Sequence, residues 1–324
     1  MGTVVITGAA GVVGRTVIAR VGEDSAVAPV PAGDPELGRR LQDADALVHL
    51  GGPDGLDDVL RAAGDARVDH VVYFSTATVY GAWSDNAVPL SEDTPLRPNP
   101  RFEFAIGHAE AERLLAEWSD DHPTAAVSVL RPAMILAEDT ESRLARTLGR
   151  PPLFRSRDGG PAQQFLHVDD LAEAAAHVLQ ARLDATCNVA PDGWLSAETA
   201  RRLATSGPSL PLPELLARPA LALAHRLGLT QLSPDAVPYA EHPWVVANDR
   251  LKESGWRPRH SSEEAVVGAR KASWYRELSP KRRQEVSLGA AGGLAVLVIG
   301  LAVYIAGRGG RAAARAAAAA ATSA

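Results

Sequence analysis

The chain has 324 residues, of which 46% are hydrophobic, and its formal net charge is −6 at pH 7. This size and composition predict a globular protein with one large core or two smaller ones. The negative charge, with no basic stripe before the C-terminal region, argues against a nucleic-acid-binding protein. Cys187 is the only cysteine, so a single chain can form neither a disulfide framework nor a cysteine-based zinc site. The simplest interpretation is a protein of a reducing, intracellular compartment.

Apolar runs of strand length alternate with helical patterns along the first half of the chain. The runs are TVVITG, AVAPV, ALVHL, HVVYFST and AVSVLRP, and a further strand followed by a helix is predicted over QFLHVDDLAEAAAHVLQ. Strands that are apolar on both faces and separated by helices indicate a parallel sheet covered on both sides. The predicted fold class is therefore α/β, with a doubly wound parallel sheet of the Rossmann type.

The first strand leads into a glycine-rich turn and then a helix, in the stretch VVITGAAGVVGRTVIARV. Glycine lets the backbone turn tightly and approach a pyrophosphate, and the N-terminus of the next helix offers unpaired N–H groups and a favourable dipole. In this strand–turn–helix context the glycines predict a dinucleotide site rather than a mere tight turn. The candidate cofactor-binding residues here are Thr7, Gly8, Ala10, Gly11, Val12, Val13 and Gly14.

A dinucleotide site of this type also expects an acidic residue near the end of the second strand, where it holds the adenosine ribose. Asp34 lies twenty residues after Gly14 and fits that distance. A proline follows Asp34, so the same residue is also typical of a helix start, and this capping role is slightly favoured. The choice between NAD and NADP stays open, because three arginines are equally well explained as surface residues: Arg15, Arg39 and Arg40.

Six motifs follow one another along the chain and are spread over nearly the whole region before residue 286. They are TGAAGVVG at 7–14, LVHLGG at 47–52, FSTATVYG at 74–81, LRPA at 130–133, FLHVDDLAEA at 165–174 and LKESGWRPRHS at 251–261. In this order they resemble the extended short-chain dehydrogenase/reductase family, the NAD-dependent epimerase/dehydratase group. The resemblance implies NAD or NADP bound across the carboxyl edge of the sheet and hydride transfer at a carbinol carbon, typically of a nucleotide sugar. It adds Leu50, Gly51 and Pro132 to the candidate cofactor-binding residues.

The resemblance also implies catalytic positions in FSTATVYG and in the helical stretch RFEFAIGHAEAERLL. Thr76 stands where family members carry a Ser or Thr that hydrogen-bonds the reacting oxygen. Aligning AERLL places Phe104 where the family has a proton-exchanging Tyr, and His108 where it has a ribose-binding Lys. A general acid/base typically contributes about 10²–10⁴-fold, which Phe104 cannot supply. His108 can donate a hydrogen bond to the ribose and could titrate near neutrality, so the candidate catalytic residues are Thr76 and His108.

Other polar side chains of the motifs have structural explanations. Tyr73 and Tyr80 are predicted to be packed with their hydroxyl groups bonded, and His49 to face the sheet core. Ala77 and Thr78 occupy the positions where dehydratases of the family carry an acidic pair, which disfavours that branch.

The stretch His167, Asp169 and Asp170 is similar to a metal or catalytic cluster. An Asp before LAEAAAHVL is explained better as a helix cap. No pair of histidines and carboxylates shows metal-ligand spacing along the chain, so no metal is predicted.

Three functional hypotheses remain open. The first is an oxidoreductase or epimerase that acts on a nucleotide sugar or a lipid-linked alcohol, with proton transfer by His108, Thr76 or bound water. The second is a non-catalytic NAD(P)-binding sensor or scaffold at the membrane, since the glycines are retained while the Tyr and Lys positions have changed together. The third is a structural module that holds no cofactor.

The last region of the chain predicts a membrane anchor. Residues 286–307 contain no charged side chain and would span about 33 Å as a helix, which matches the hydrocarbon thickness of a bilayer. More basic residues precede this segment than follow it, which predicts a single-pass C-terminal anchor with the globular domain in the cytoplasm. Gly289 and Gly293 form a GxxxG pair that is compatible with a homodimer. The predicted domains are 1–280, with a substrate-side lobe mainly within 136–243, then the 286–307 helix and an Ala/Arg-rich tail, 308–324.

Overall fold

The computed structural model describes residues 2–136, 160–204 and 234–269. These residues belong to one compact unit of the chain, residues 1–205 with 213–271. The predicted membrane segment 286–307, the 308–324 tail and much of the predicted 136–243 lobe lie outside the described ranges. Within those ranges no helix has both the length and the hydropathy that a bilayer crossing requires.

The core of the unit is a six-stranded parallel sheet with the order β2-β1-β3-β4-β5-β8. This order confirms the predicted doubly wound fold, and the five apolar runs of the sequence form its first five strands. A second, two-stranded parallel sheet pairs β6 with β7. The strands are β1 (Thr3–Thr7), β2 (Ala26–Val30), β3 (Ala46–His49), β4 (His70–Phe74), β5 (Ala126–Pro132), β6 (Met134–Leu136), β7 (Phe165–His167) and β8 (Ala185–Val189).

Helices cover both faces of the large sheet. Successive strand residues point to opposite faces, so β1 to β5 each contribute to two separate apolar layers, one packed by α1 and α5 and the other by α2, α3 and α4. Short 3₁₀ turns lie at Ala77–Tyr80 and Pro234–Ala236. The helices are α1 (Gly11–Val21), α2 (Leu37–Leu41), α3 (Leu56–Ala66), α4 (Glu103–Asp121), α5 (Val168–Ala181), α6 (Ala197–Ala204), α7 (Pro238–Glu241), α8 (Asp249–Glu253) and α9 (Ser262–Gly268).

Strand β2 is the edge of the large sheet, and its sequence suits that position. It contains Pro29, which pairs with Ile6 of β1 on the inner side. Proline has no N–H to donate, so it is tolerated where one side of the strand has no neighbour. The chain leaves β1 for β2 on one side and returns to β3 on the other. This reversal opens a crevice at the carboxyl ends of β1 and β3, the usual ligand position in such sheets.

Candidate cofactor and active site

The glycine-rich turn after β1 fits the three roles that a pyrophosphate-binding turn requires. Gly8 has φ +70°, and a Cβ there would lie 2.3 Å from the Cα of Gly51. Gly11 has φ +85° and opens onto free space, where an added Cβ meets nothing within 4 Å. A Cβ at Gly14 would lie 2.1 Å from the carbonyl oxygen of Ala9, so this glycine lets α1 pack tightly on the turn. Side chains at Gly8 and Gly14 would collide with backbone, and one at Gly11 would fill the cradle.

The N-terminus of α1 is open to an anion. Its N-cap residue is Ala10, which makes no side-chain capping bond, and the first turn of this fully described helix holds no acidic residue. The N–H groups of the first turn therefore have no side-chain acceptor in the cap, and the positive end of the helix dipole is not neutralised. Together with the glycines, this end of α1 fits the diphosphate of a dinucleotide.

The other candidate cofactor residues lie along the same edge of the sheet. Thr7 ends β1, and its carbonyl accepts the N–H of Leu50, the first residue after β3, at 2.9 Å. Gly51 follows and forms the close approach to Gly8, and Pro132 ends β5. Val12 and Val13 lie in the first turn of α1 and are partly buried. The structure brings all of these residues to the carboxyl ends of β1, β3 and β5.

Asp34 has a local role in the turn after β2. Its carboxylate accepts the N–H of Glu36 at 2.8 Å and pairs with Arg40 at 3.0 Å. The helix itself begins at Leu37, so Glu36 rather than Asp34 is its N-cap. Asp34 thus orders the turn that precedes the helix, and its predicted role as the N-cap is wrong.

A row of buried polar side chains crosses the sheet just before its carboxyl edge. Thr7, His49 and Tyr73 stand at matching register positions on β1, β3 and β4. The Nε2–H of His49 donates to the carbonyl of Gly52 at 2.9 Å, which leaves Nδ1 to accept from the Thr7 hydroxyl at 2.6 Å. The Tyr73 hydroxyl lies 2.8 Å from Nδ1 of His108, so α4 completes the row. His49 and Tyr73 are buried and hydrogen-bonded, as predicted.

His108 is a neutral side chain in this structure. Burial, and to a lesser extent the neighbouring His49, lower its pKa to about 4. The expectation that His108 titrates near neutrality is therefore wrong. The prediction came from the ordinary pKa of histidine, whereas the side chain is buried against an apolar helix–sheet interface where a charged imidazole is poorly solvated. With Nδ1 engaged by Tyr73, His108 can act on a ligand only through Nε2.

Phe104 is half exposed near the start of α4, at 50% relative accessibility. Its ring stands edge-on to His108, with centroids 4.7 Å apart, and also contacts Phe102, which in turn packs on Tyr239. A large apolar side chain in this position has an open face that substrate or nicotinamide could cover. It offers no proton to either.

Thr76 uses its hydroxyl to begin the short 3₁₀ turn after β4. The oxygen accepts the N–H of Thr78 at 3.2 Å and lies 3.1 Å from the Thr78 hydroxyl. Both threonines are buried. Thr76 still has a hydroxyl hydrogen to donate, but its oxygen is already committed within the protein.

No tyrosine in the described ranges is prepared for proton transfer. Burial raises the pKa of Tyr73, and it raises the pKa of Tyr80 to about 12 and that of Tyr239 as well. The Tyr80 hydroxyl donates to Asn188 at 2.9 Å, and the Tyr239 hydroxyl donates to the carbonyl of Thr78 at 2.7 Å. A catalytic tyrosine needs a lowered pKa near the operating pH, so these three side chains are structural. The prediction of a packed, hydrogen-bonded Tyr80 is confirmed.

A buried ion pair that the sequence analysis missed ties α4 to the sheet. The Glu112 carboxylate accepts hydrogen bonds from two guanidinium nitrogens of Arg131 on β5. The Ser75 hydroxyl donates to the same carboxylate at 2.5 Å. Glu112 and Arg131 are both less than a tenth exposed. Two signals were available: Glu112 is four residues after His108 on one helix, and Arg131 interrupts an otherwise apolar strand. Neither signal identifies the partner.

The sequence predicts that an Asp caps the helix after residue 167, but the structure gives this role to a histidine. The N-cap of α5 is His167, whose Nδ1 accepts the N–H of Asp169 at 3.2 Å. Asp170 does not cap the helix. Its buried carboxylate accepts the backbone N–H groups of Arg259 and His260, at 3.0 and 2.9 Å. The sequence could not show this role, because the two amides come from a segment ninety residues further along the chain.

Part of this chain matches a known protein family. A profile of the NAD dependent epimerase/dehydratase family matches residues 32–190, which include β3, β4, α4, β5 and β8. This part of the chain is therefore similar to the NAD-dependent epimerase/dehydratase family. The matched range begins after the glycine-rich turn, so the geometry of that turn is an independent observation that agrees with this similarity.

Two curated proteins are similar in sequence to parts of this chain. A UDP-glucose 4-epimerase of Azospirillum brasilense is 29% identical over 266 residues, which cover 72% of this chain and 67% of that protein. An uncharacterized protein of Mycobacterium tuberculosis is 27% identical over 201 residues, 61% of this chain and 53% of its own length. The chain thus spans about half the length of the mycobacterial relative.

The fold is also that of solved family members. The structure of a UDP-glucose 4-epimerase from Thermus thermophilus, in complex with NAD, superposes with a TM-score of 0.60 at 17% identity and covers 82% of this chain and 97% of that one. This likeness shows the shared fold, and the site residues of the present chain have to be judged on their own geometry.

Proposed function

We propose that this protein binds NAD or NADP at the carboxyl edge of the large sheet and does not carry out the Tyr–Lys proton transfer of its family. One observation carries the proposal: an intact, open glycine turn coexists with a half-exposed Phe104 at the Tyr position. The function that fits this combination best is a non-catalytic dinucleotide-binding sensor or scaffold.

The cofactor side of the proposal rests on residues whose geometry fits the diphosphate. The turn from Gly8 to Gly14 and the first turn of α1 would hold the pyrophosphate, and the edge formed by Leu50, Gly51 and Pro132 would lie beside the rest of the dinucleotide. The Tyr73 hydroxyl is kept protonated by burial and can donate to Nδ1 of His108. Nε2 of His108 then carries the proton and is free to donate to the nicotinamide ribose. When bound, the nicotinamide supplies a site for hydride transfer.

The proposal that the protein is not catalytic rests on the absence of a general acid/base at Phe104 and His108. Hydride transfer at an alcohol carbon needs a matched proton transfer at its oxygen. Phe104 has no exchangeable proton, and the neutral His108 is held by Tyr73 with a pKa of about 4. Loss of a general acid/base that contributes about 10²–10⁴-fold would leave cofactor binding with little turnover.

A second candidate function is an oxidoreductase or epimerase with non-standard proton transfer by Thr76, His108 or bound water. It rests on the Thr76 hydroxyl and on Nε2 of His108, because the pocket at the end of β5, beside the contact between Tyr239 and Thr78, has room for little more than a water molecule. A nucleotide sugar, as named for the Azospirillum relative, or a lipid-linked alcohol is the substrate class to test. The pocket is lined by Ala133, Met134, Ala162, Gln163, Gln164, Tyr239, Trp244 and Val245.

Cofactor binding is tested by thermal unfolding of the purified chain with and without NAD and NADP. Ligand at a hundred times its dissociation constant adds about 2.7 kcal/mol of apparent stability, so one or both cofactors should raise the melting temperature. Gly11→Ala places a methyl group in the cradle and should abolish the shift. Gly38→Ala is the matched control, since its Cβ also meets nothing within 4 Å but lies in α2. No shift with either cofactor would leave the purely structural hypothesis.

Catalysis is tested with the double substitution Phe104→Tyr and His108→Lys. We expect the wild-type chain to bind cofactor without turning over a panel of UDP- and dTDP-sugars. The double variant should gain measurable NAD(P) reduction or epimerisation. Clear turnover by the wild-type chain would refute the sensor proposal and support the second candidate, in which case His108→Ala should lower the rate.

The membrane anchor stays a proposal from the sequence. We propose that residues 286–307 cross the bilayer once and keep the dinucleotide-binding unit on the cytoplasmic side. The absence of charge over these residues and the basic excess before them support it.

A further inference from the structure

We infer that His167, Asp169 and His260 form a binding site for a divalent transition-metal ion, with Zn²⁺ as the best fit. The three side chains come from the start of α5 and from the segment before α9. One donor atom from each lies within 4.8 Å of the other two. Two imidazoles and one carboxylate are one of the ligand sets found in three-residue zinc sites, in which water takes the fourth position.

The two imidazole rings already face each other. His167 and His260 stack with their centroids 4.0 Å apart and their planes 20° apart. The Asp169 carboxylate lies 3.5 Å from Nδ1 of His167. That nitrogen already accepts the N–H of Asp169 in the helix cap, so Nε2 is the nitrogen of His167 left for a metal. Zn–N bonds of about 2.0–2.1 Å put the donors of a tetrahedral shell about 3.4 Å apart, so side-chain rotation has to close roughly 1 Å. The side chain of Asp169 is mostly exposed and those of the two histidines are partly exposed, which leaves room for that movement and for a water ligand.

A second observation points to a metal: His260 has a buried carboxylate behind it. Nδ1 of His260 lies 3.1 Å from Oδ1 of Asp170, whose side chain is 1% exposed. A carboxylate that accepts the Nδ1–H of a histidine fixes the ring and leaves the Nε2 lone pair for a cation. This arrangement accompanies most histidine metal ligands. Asp170 is itself held by the backbone N–H groups of Arg259 and His260, so the support is rigid.

Charges around the cluster leave the cation position negative. Arg259, the nearest arginine in sequence, turns away to pair with Glu173 at 2.9 Å. Glu264 is occupied in the capping box of α9 with Ser261. A bound cation would accept a lone pair from each imidazole and the charge of the Asp169 carboxylate at once.

The site would act as a structural clamp between α5 and the segment leading to α9. Its ligands lie ninety residues apart in the chain, and binding only the folded form stabilises it. This inference departs from the prediction of no metal, which examined spacing along the sequence only. It is independent of whether the chain is a sensor or an enzyme.

The test uses the full chain without an affinity tag, stripped with a chelator and titrated calorimetrically with Zn²⁺. We expect one equivalent to bind and the melting temperature to rise. Substituting Co²⁺ should give the visible bands of a tetrahedral site. Asp169→Asn and His260→Ala should remove the bound equivalent, and Asp170→Asn should weaken binding by about 10–100-fold. His242→Ala, a half-buried histidine on another segment, is the matched control and should bind as the wild type does.

His167→Ala also removes the cap of α5 and can destabilise the chain, so the decision rests on Asp169→Asn, whose side chain is mostly exposed. Absence of stoichiometric Zn²⁺ binding by the wild-type chain would overturn the inference. Equal binding by wild type, Asp169→Asn and His260→Ala would overturn it as well, because it would place the metal elsewhere.

Discussion

Acidification should destabilise this protein, and His108 should account for a defined share of the loss. The imidazole has a folded-state pKa of about 4, against 6.5 for an ordinary histidine, chiefly because burial disfavours the charged form. Between these two values the unfolded chain binds a proton that the native chain does not. The contribution of His108 to the free energy of unfolding is therefore complete above about pH 6.5 and decreases as the pH drops towards 4.

The magnitude follows from the size of the shift. A lowering of about 2.5 pKa units corresponds to roughly 3 kcal/mol, at about 1.4 kcal/mol per unit. His70 has the same direction and a pKa of about 4, caused by burial and then by Arg182, so the two histidines together should destabilise the chain by roughly twice that amount.

Urea unfolding between pH 7.5 and pH 4 measures this effect. His108→Gln keeps a hydrogen-bonding partner for Tyr73 but cannot be protonated, so it should reduce the pH dependence by roughly 3 kcal/mol. His70→Gln should do the same, and the double variant should lose both contributions. If His108→Gln keeps the wild-type pH dependence, or if NMR titration of His108 gives an ordinary histidine pKa, the argument from burial is wrong.

Three further changes test a buried ion pair, the glycine-rich turn and the proposed membrane anchor. Glu112→Gln leaves the buried guanidinium without a charged partner and should destabilise the chain by about 3–5 kcal/mol in urea unfolding, whereas Glu117→Gln, in an exposed pair, should change stability by less than about 1 kcal/mol. Gly14→Ala drives a methyl group into the backbone of the turn, so a loss of roughly 1–3 kcal/mol and of NAD(P) binding is expected by thermal unfolding. Deleting the residues after Arg283 should move the protein from the membrane pellet to the soluble fraction; a full-length chain that is already soluble contradicts the proposed anchor.

The sequence by itself determined the fold class and the glycine-rich turn, and the family resemblance supplied the candidate catalytic positions. These features depend on short-range chemistry. Apolar runs between helical segments specify a parallel sheet, glycine spacing specifies the backbone of the turn, and a phenylalanine at position 104 cannot exchange a proton wherever it lies.

Only the tertiary structure decided which partners the buried polar groups have, and so how they behave. From the sequence, His108 was expected to have the ordinary pKa of histidine, because the row of Thr7, His49 and Tyr73 arises only when three strands come into register. In the same way Glu112 meets Arg131, and Asp170 meets His260, across separations that no local pattern encodes. The pKa of a side chain and its ability to bind a metal depend on solvation and on neighbours within a few ångströms. Those neighbours are set by long-range packing, so the properties of these side chains depend on the tertiary structure.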